Sequence, residues 1–94
     1  MIVLTSEAIS DIQRLYDFLR LENPQAAARA VTAIWSKLQL VELMPGIGYR
    51  TRSARIRQVL VQFGKGGYVA RYTIRESDGA LIVLRIWHSR EARK

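Results

Sequence analysis

Residues 66–94 are GGYVARYTIRESDGALIVLRIWHSREARK, and this stretch carries the strongest fold signal in the chain. Residues 68–75 largely alternate apolar and polar side chains, as β-strands with one buried face do, and residues 80–88 form a mostly apolar strand pattern that ends in His88. Between them, Ser77-Asp78-Gly79 favours a hairpin turn. The stretch therefore predicts an antiparallel strand pair whose second strand ends in His88 and continues into a basic tail.

The phase of this alternation predicts which side chains of the pair face the core. We expect one face to lie under the rest of the protein and the other to be open and rich in arginine. The predicted core face carries Tyr68, Ala70, Tyr72, Ile74, Ile82, Leu84 and Ile86, and the predicted open face carries Arg71, Thr73, Arg75, Arg85 and Trp87.

Two helices are predicted upstream of the strand pair. Residues 6–21 repeat apolar side chains at helical spacing behind Thr5 or Ser6 as N-cap, which leaves Asp11 outside the apolar stripe. Asn23-Pro24 ends this helix and begins a second, because proline suits a first helical turn and asparagine caps it. The Pro-Gly-Ile-Gly run at residues 45–48 ends the second helix.

Two more predicted strands complete the order of elements. Residues 2–4 are apolar and mostly β-branched, and residues 56–62 precede a glycine-rich turn at residues 64–67. The order β-αα-βββ predicts an α+β fold, with a helical hairpin packed on one face of a small antiparallel sheet. At 94 residues, the chain has room for one domain, residues 1–94.

The chain carries a formal net charge of +7, which is concentrated in its second half. Residues 50–94 hold eleven Arg or Lys against three Asp or Glu, and twelve of the fifteen cations in the chain are arginine. The planar guanidinium group binds carboxylate or phosphate through two parallel hydrogen bonds. We therefore expect an acidic protein or a nucleic acid as partner.

Composition excludes several classes of site. The chain has no cysteine, which rules out disulfides and thiolate metal ligands, and with a single histidine we expect no metal site and no cofactor. No apolar run is long enough for a signal peptide or a membrane span. We expect a cytoplasmic protein with no membrane partner.

His88 is the one side chain suited to general-base chemistry at neutral pH. Its phase matches that of Ile86, which favours a structural role at the strand end. Trp87, among arginines, suits an apolar anchor for a partner. The glycines around Lys65 lack the Gly-Lys-Ser/Thr sequence of a phosphate-binding loop, so they predict a hairpin turn.

Arg71, Arg75, Arg85 and Arg90 form a cluster that has two interpretations. Together they could brace a phosphate group, because cationic clamps stabilise phosphoryl groups without a dedicated acid or base. The alternative is a solvated basic face on a basic protein.

Several short motifs occur in a characteristic order. They are Ala8, Asp11, Ile12 and Tyr16; Asn23-Pro24 with Ala27 and Ala30; Leu43-Met44-Pro45-Gly46-Ile47-Gly48; Ile56-Arg57; Tyr68-Val69-Ala70-Arg71-Tyr72; and residues 82–90, ending in His88-Ser89-Arg90. In this order and spacing, which covers nearly the whole chain, the sequence resembles the ParE/RelE superfamily of bacterial toxins.

The resemblance implies a stable toxin held inactive by a co-expressed antitoxin, whose acidic and apolar C-terminal segment wraps it. It implies one of two activities, since ParE-like members poison DNA gyrase and RelE-like members cut messenger RNA on the ribosome. Where RNA cleavers often place an arginine this chain has Val69, and it reaches Lys94 without their terminal tyrosine. We therefore expect a ParE-like gyrase inhibitor with a ParD-like acidic antitoxin.

For this ParE-like function we expect no catalytic residue. The predicted partner-binding residues are Arg71, Arg75, Arg85, Trp87, Arg90 and Arg93. The alternative is a ribosome-dependent messenger RNA endoribonuclease, with the ribosome and messenger RNA as partners. In that case Arg57, Arg71, Arg85 and Arg90 would stabilise the phosphate. A plain nucleic-acid-binding module is a third interpretation, for which no base-reading helix is apparent.

Overall fold

The computed structural model describes residues 1–91, in which two helices pack on a five-stranded sheet. The elements are β1 (Ile2–Leu4), α1 (Ser6–Glu22), α2 (Pro24–Leu43), a 3-10 turn (Pro45–Ile47), β2 (Tyr49–Arg50), β3 (Ile56–Phe63), β4 (Gly66–Ile74) and β5 (Leu81–His88). The strand order is β1-β5-β4-β3-β2. The predicted α+β class with a helical hairpin is confirmed. The sheet is mixed, because β1 runs parallel to β5 and the other pairs are antiparallel.

Side-chain caps fix the ends of the two helices. The Thr5 hydroxyl accepts a hydrogen bond from the Ala8 N–H (3.1 Å) and donates one to the Leu84 carbonyl (2.9 Å), so it caps α1 and ties it to β5. The Asn23 side chain accepts from the Ala26 N–H (3.1 Å) at the start of α2. Neither helix is long and apolar enough to cross a membrane, and the described residues contain no other candidate span.

The core lies between the helical hairpin and the sheet. Its buried members are Ala8, Leu15, Ala30, Ile34, Leu38 and Val41 from the helices, and Val59, Val61, Tyr68, Ala70, Tyr72, Leu81, Val83 and Ile86 from the sheet. Two of the helical core positions, Ala8 and Ala30, carry small side chains, which leave room for close packing of the helices. The core positions predicted on β4 at residues 68, 70 and 72 are confirmed.

A β-bulge in β5 reverses part of the predicted facing of that strand. Arg71 is paired with Arg85 and Tyr72 with Val83, so Leu84 has no partner on β4. This extra residue shifts the alternation by one. Val83 and Ile86 are fully buried under the helices, whereas Leu84 is partly exposed on the opposite face. The predicted core positions of Leu84 and of Ile82, which is also partly exposed, are therefore wrong.

The bulge makes a test with two chemically identical substitutions possible. We expect Leu81→Ala to lower the free energy of unfolding by about 2–5 kcal/mol, because Leu81 is buried in the core. Leu84→Ala removes the same atoms from the same strand but from its partly exposed face, so its cost should be clearly smaller. Urea denaturation measures both values. Equal losses would contradict the position of the bulge.

Candidate functional site

Arg71 lies at the centre of the open face of the sheet, where it is already engaged. Its guanidinium donates two hydrogen bonds to the Gln58 side-chain oxygen, at 3.1 and 2.8 Å. The same group lies 4.9 Å from the ring centroid of Trp87, a distance that allows a cation–π interaction. Trp87 is only 6% exposed. The expectation of an exposed Trp87 is therefore wrong, and its contact with a partner stays a prediction.

Arg85 is bound to a buried carboxylate on α1. Its Nε and Nη2 atoms donate to the two oxygens of Asp11, at 2.8 and 3.1 Å. Asp11 also accepts from the backbone N–H of Ile86 (2.9 Å). Its side chain is 6% exposed although the helical periodicity places it outside the apolar stripe. Asp11 is buried because β1 is short. β1 pairs with β5 only as far as Val83, so α1 covers the next part of the β5 edge.

The pKa of Asp11 reflects this environment. Burial by itself raises the pKa of a carboxyl group, but the hydrogen bonds from Arg85 and Ile86, together with the positive charges of Arg85 and Arg14, outweigh it and hold the pKa of Asp11 below its ordinary value. A carboxylate with a lowered pKa stabilises the folded state at pH values above its unfolded pKa. That contribution is lost as the pH falls through the lowered value.

Arg75 is paired within the β4–β5 turn. Its guanidinium donates to both oxygens of Asp78, at 3.0 and 2.8 Å, and this hydrogen bonding lowers the pKa of Asp78 to about 2. Both side chains are well exposed, so the pair contributes little to stability. Its main effect is to offset the charge of Arg75 on the open face.

Arg57 lies on the helix-covered face of the sheet, opposite Tyr72 in the β3–β4 pairing. Its Nη1 atom donates to the Gly48 carbonyl (2.8 Å) and to the Gly46 carbonyl (3.4 Å). The Tyr72 hydroxyl donates to the Pro45 carbonyl (2.6 Å) and accepts from the Gly48 N–H (3.1 Å). Arg57 therefore holds the loop after α2, away from Arg71.

Arg90 lies in the turn that follows β5, beside an open groove of about 740 Å³. We call this groove the terminal groove. Apolar and aromatic side chains form one part of its lining and charged side chains the other. The lining residues are Arg14, Leu15, Phe18, Leu19, Phe63, Gly64, Lys65, Gly66, Tyr68, His88, Arg90 and Glu91. Phe18 is 66% exposed. The groove thus combines accessible aromatic surface with cations.

His88 has structural contacts within this groove. Its ring meets the Tyr68 ring edge-on at 5.4 Å between centroids, and its Nδ1 accepts from the Arg90 backbone N–H (3.1 Å). Glu91 accepts from Arg14 (2.9 Å), which ties the turn after β5 to α1. These contacts fit the structural role predicted for His88. Arg93 lies outside the described residues.

The four arginines assigned to phosphate stabilisation are thus not all brought together, although Arg71 and Arg85 are cross-strand neighbours. Arg57 and Arg71 lie on opposite faces of the sheet, Arg85 is bound to α1, and Arg90 lies at the terminal groove. No group of three or more His, Asp or Glu side chains within residues 1–91 could hold a metal ion.

The sequence patterns do not predict the terminal groove. They place Lys65 only in a turn and give Phe18 and Phe63 no role. The one signal in the sequence is Phe18, a large apolar residue outside the apolar stripe of its helix, which the structure shows to be 66% exposed.

Two solved structures with this fold come from toxin–antitoxin systems. A chain of the chromosomal ParDE system from P. aeruginosa superposes with a TM-score of 0.74 at 19% identity, over 93% of this chain and 92% of that one. A chain of the intact E. coli RelBE toxin–antitoxin complex gives 0.67 at 14% identity, over 100% and 98%. The architecture is therefore that of the ParE/RelE class.

Sequence comparison narrows the class to a family. Residues 2–93 match the model described as the ParE toxin of the type II toxin–antitoxin system parDE. Toxin RelE3 of Caulobacter vibrioides is 33% identical over 96% of this chain and 95% of that protein, and Toxin RelE1 of the same organism is 32% identical over 98% and 96%. The chain belongs to the ParE toxin family of type II toxin–antitoxin systems.

The Asp11 contacts generate a test of what holds α1 on the sheet. We expect Asp11→Asn to lower the free energy of unfolding at pH 7 by about 1–3 kcal/mol, since it weakens hydrogen bonds to a charged, buried acceptor. It should also reduce the loss of stability seen when the pH falls below about 4. Asp17→Asn, on the same helix but half-exposed, is the matched control and should change little. Denaturation at a series of pH values measures both effects, and identical pH profiles for the wild type and Asp11→Asn would refute this role.

Proposed function

We propose that this toxin inhibits DNA gyrase by binding it and catalyses no reaction of its own. One observation carries the proposal: the arginines needed to stabilise a phosphate are engaged separately within the fold. Arg57 binds loop carbonyls, Arg71 binds Gln58, and Arg85 binds Asp11. Stabilising the charge that develops in a reaction requires donors that converge on one point.

Membership of the ParE family supports gyrase as the target, since the resemblance to the ParE branch implies that activity. The two relatives named RelE toxins favour the second candidate, cleavage of messenger RNA on the ribosome. Arg71 and Arg85 are neighbours, but each binds a different partner, and the four arginines do not converge on one point, which argues against that candidate. The experiments below are chosen so that the two activities give opposite results.

The terminal groove offers a surface for binding. Lys65 and Arg90 are exposed at its rim and have no ion pair within residues 1–91. Phe18 is exposed beside them. Aromatic surface next to unpaired cations supplies both the apolar contact and the steering charge of a protein interface. We assign the contact with gyrase to this groove.

We also propose an acidic, ParD-like antitoxin as the regulatory partner. The neighbouring solved structures are ParDE and RelBE toxin–antitoxin systems, and the formal charge of +7 favours a partner of opposite sign. Co-expression with the acidic product of an adjacent short reading frame should give one complex on gel filtration and relieve toxicity. A toxin that stays uncomplexed and equally harmful would count against this partner.

Purified toxin should inhibit supercoiling by gyrase, or trap cleaved DNA, while messenger RNA on ribosomes stays intact. Arg90→Glu should weaken inhibition, and the defect should depend on salt, because an exposed cation acts through screened attraction. Arg29→Glu makes the same charge reversal on the exposed side of α2 and should have little effect. Supercoiling assays at several salt concentrations measure both variants.

The conservative variant Arg90→Lys separates binding from catalysis. It keeps the charge, so gyrase inhibition should be largely retained, but it loses the two-pronged contact that a phosphate would need. Site-specific cuts in messenger RNA on ribosomes that disappear with Arg90→Lys would overturn the gyrase proposal in favour of the ribonuclease.

A further inference from the structure

The segment that joins β2 to β3 carries three arginines that the rest of the fold does not use. Residues 50–55 are RTRSAR, and we call this segment the arginine loop. Arg50, Arg52 and Arg55 are exposed, and their guanidinium groups have no hydrogen bond or ion pair within residues 1–91. The arginines of β3, β4 and β5, by contrast, are all hydrogen bonded within the fold. The arginine loop therefore presents three cations that are available to a ligand.

Hydroxyl side chains hold the backbone of the arginine loop in place. The Thr51 hydroxyl donates to the Ile56 carbonyl (2.8 Å), which closes the loop at its base. The Ser53 hydroxyl accepts from the Arg55 N–H (3.3 Å), and the Thr73 hydroxyl on β4 donates to the Arg55 carbonyl (2.6 Å). A loop that is ordered in advance loses less entropy when it binds a ligand. The three arginines therefore project from a backbone that is already shaped for contact.

The charge around the loop favours an anionic ligand. Residues 43–75, which include the loop, contain no Asp or Glu. Arg55 lines an open cleft of about 980 Å³ together with Arg57 and Arg75, both of which are bound within the fold. Glu76 is the one acidic side chain among the described residues that line this cleft. Positive charge therefore prevails on this part of the surface and attracts anions.

The composition of the loop favours a phosphate backbone over an acidic protein as this ligand. Protein interfaces depend on aromatic or aliphatic anchors, and Ala54 is the one apolar residue in residues 50–55. The exposed Tyr49 precedes the loop, but neighbouring side chains of a strand point to opposite faces, so its ring lies away from Arg50. Phosphates are bound instead by cations, hydroxyls and backbone N–H groups. The loop offers all three, since the Arg52 N–H has no hydrogen-bond partner within residues 1–91.

We propose that the arginine loop binds the phosphate backbone of duplex DNA and does not read its sequence. Arg50, Arg52 and Arg55 would each contact a phosphate through the planar fork of the guanidinium group. The loop precedes β3, whereas the terminal groove lies at the other end of that strand, beside Phe63. One toxin molecule can therefore contact gyrase and the DNA that gyrase holds through two separate surfaces. The inference rests on the proposed gyrase target only for the choice of duplex DNA over RNA.

The salt dependence of binding tests the proposal. A short, fluorescently labelled DNA duplex of arbitrary sequence serves as the probe, and fluorescence anisotropy measures its affinity for the full chain at several salt concentrations. Each phosphate that a protein neutralises contributes about −0.9 to the slope of log K against log salt concentration. Each of Arg50→Gln, Arg52→Gln and Arg55→Gln should therefore make the slope less steep by about 0.9. A duplex of unrelated sequence should bind equally well, because phosphate contacts carry no sequence information.

Matched variants separate the loop from the general charge of the chain. Arg29→Gln removes an exposed charge from α2 and should leave the slope unchanged. Glu76→Gln removes the carboxylate beside Arg55 and should raise the affinity for DNA. The three loop arginines make no side-chain contact within the fold that a glutamine would lose, so their variants should unfold at the same urea concentration as the wild type.

Four results would overturn the loop proposal. They are unchanged slopes in the loop variants, an equal change of slope in Arg29→Gln, displacement of the labelled duplex by polyglutamate as effective as by unlabelled DNA of equal charge, and tighter binding of RNA than of duplex DNA. The third result would identify an acidic protein as the occupant. Gyrase inhibition by a toxin whose loop variants keep the wild-type slope would refute the loop proposal alone. A wild-type toxin that binds DNA through the loop but does not inhibit gyrase would refute the proposed function alone.

Discussion

Asp11 is the residue on which the rest of the structure depends. Because β1 is only three residues long, the edge of β5 beyond Val83 lacks a neighbouring strand. A buried N–H group without an acceptor would be costly, and the Asp11 carboxylate supplies that acceptor for Ile86 while it binds Arg85. Helix α1 therefore completes the sheet, and its position defines one wall of the terminal groove.

The same arrangement shows how three arginines of the sheet are used within the fold. Arg85 secures α1, Arg57 secures the loop after α2, and Arg71 covers Trp87. These arginines stabilise the fold and are already hydrogen bonded, so a ligand would have to displace those contacts. Lys65 and Arg90, which have no ion pair within residues 1–91, lie beside the exposed Phe18 side chain instead. This division of roles favours binding to a macromolecule.

Local signals in the sequence determined the helices, their caps at Thr5 and Asn23, the strand pair and the family, since each depends on neighbouring residues. The site was predicted less well. Only the tertiary structure decided that Leu84 faces outward, because a bulge arises from a mismatch between paired strands and leaves no mark in one strand's own alternation. It also decided that Asp11 and Trp87 are buried, since their surroundings come from residues far away in the chain.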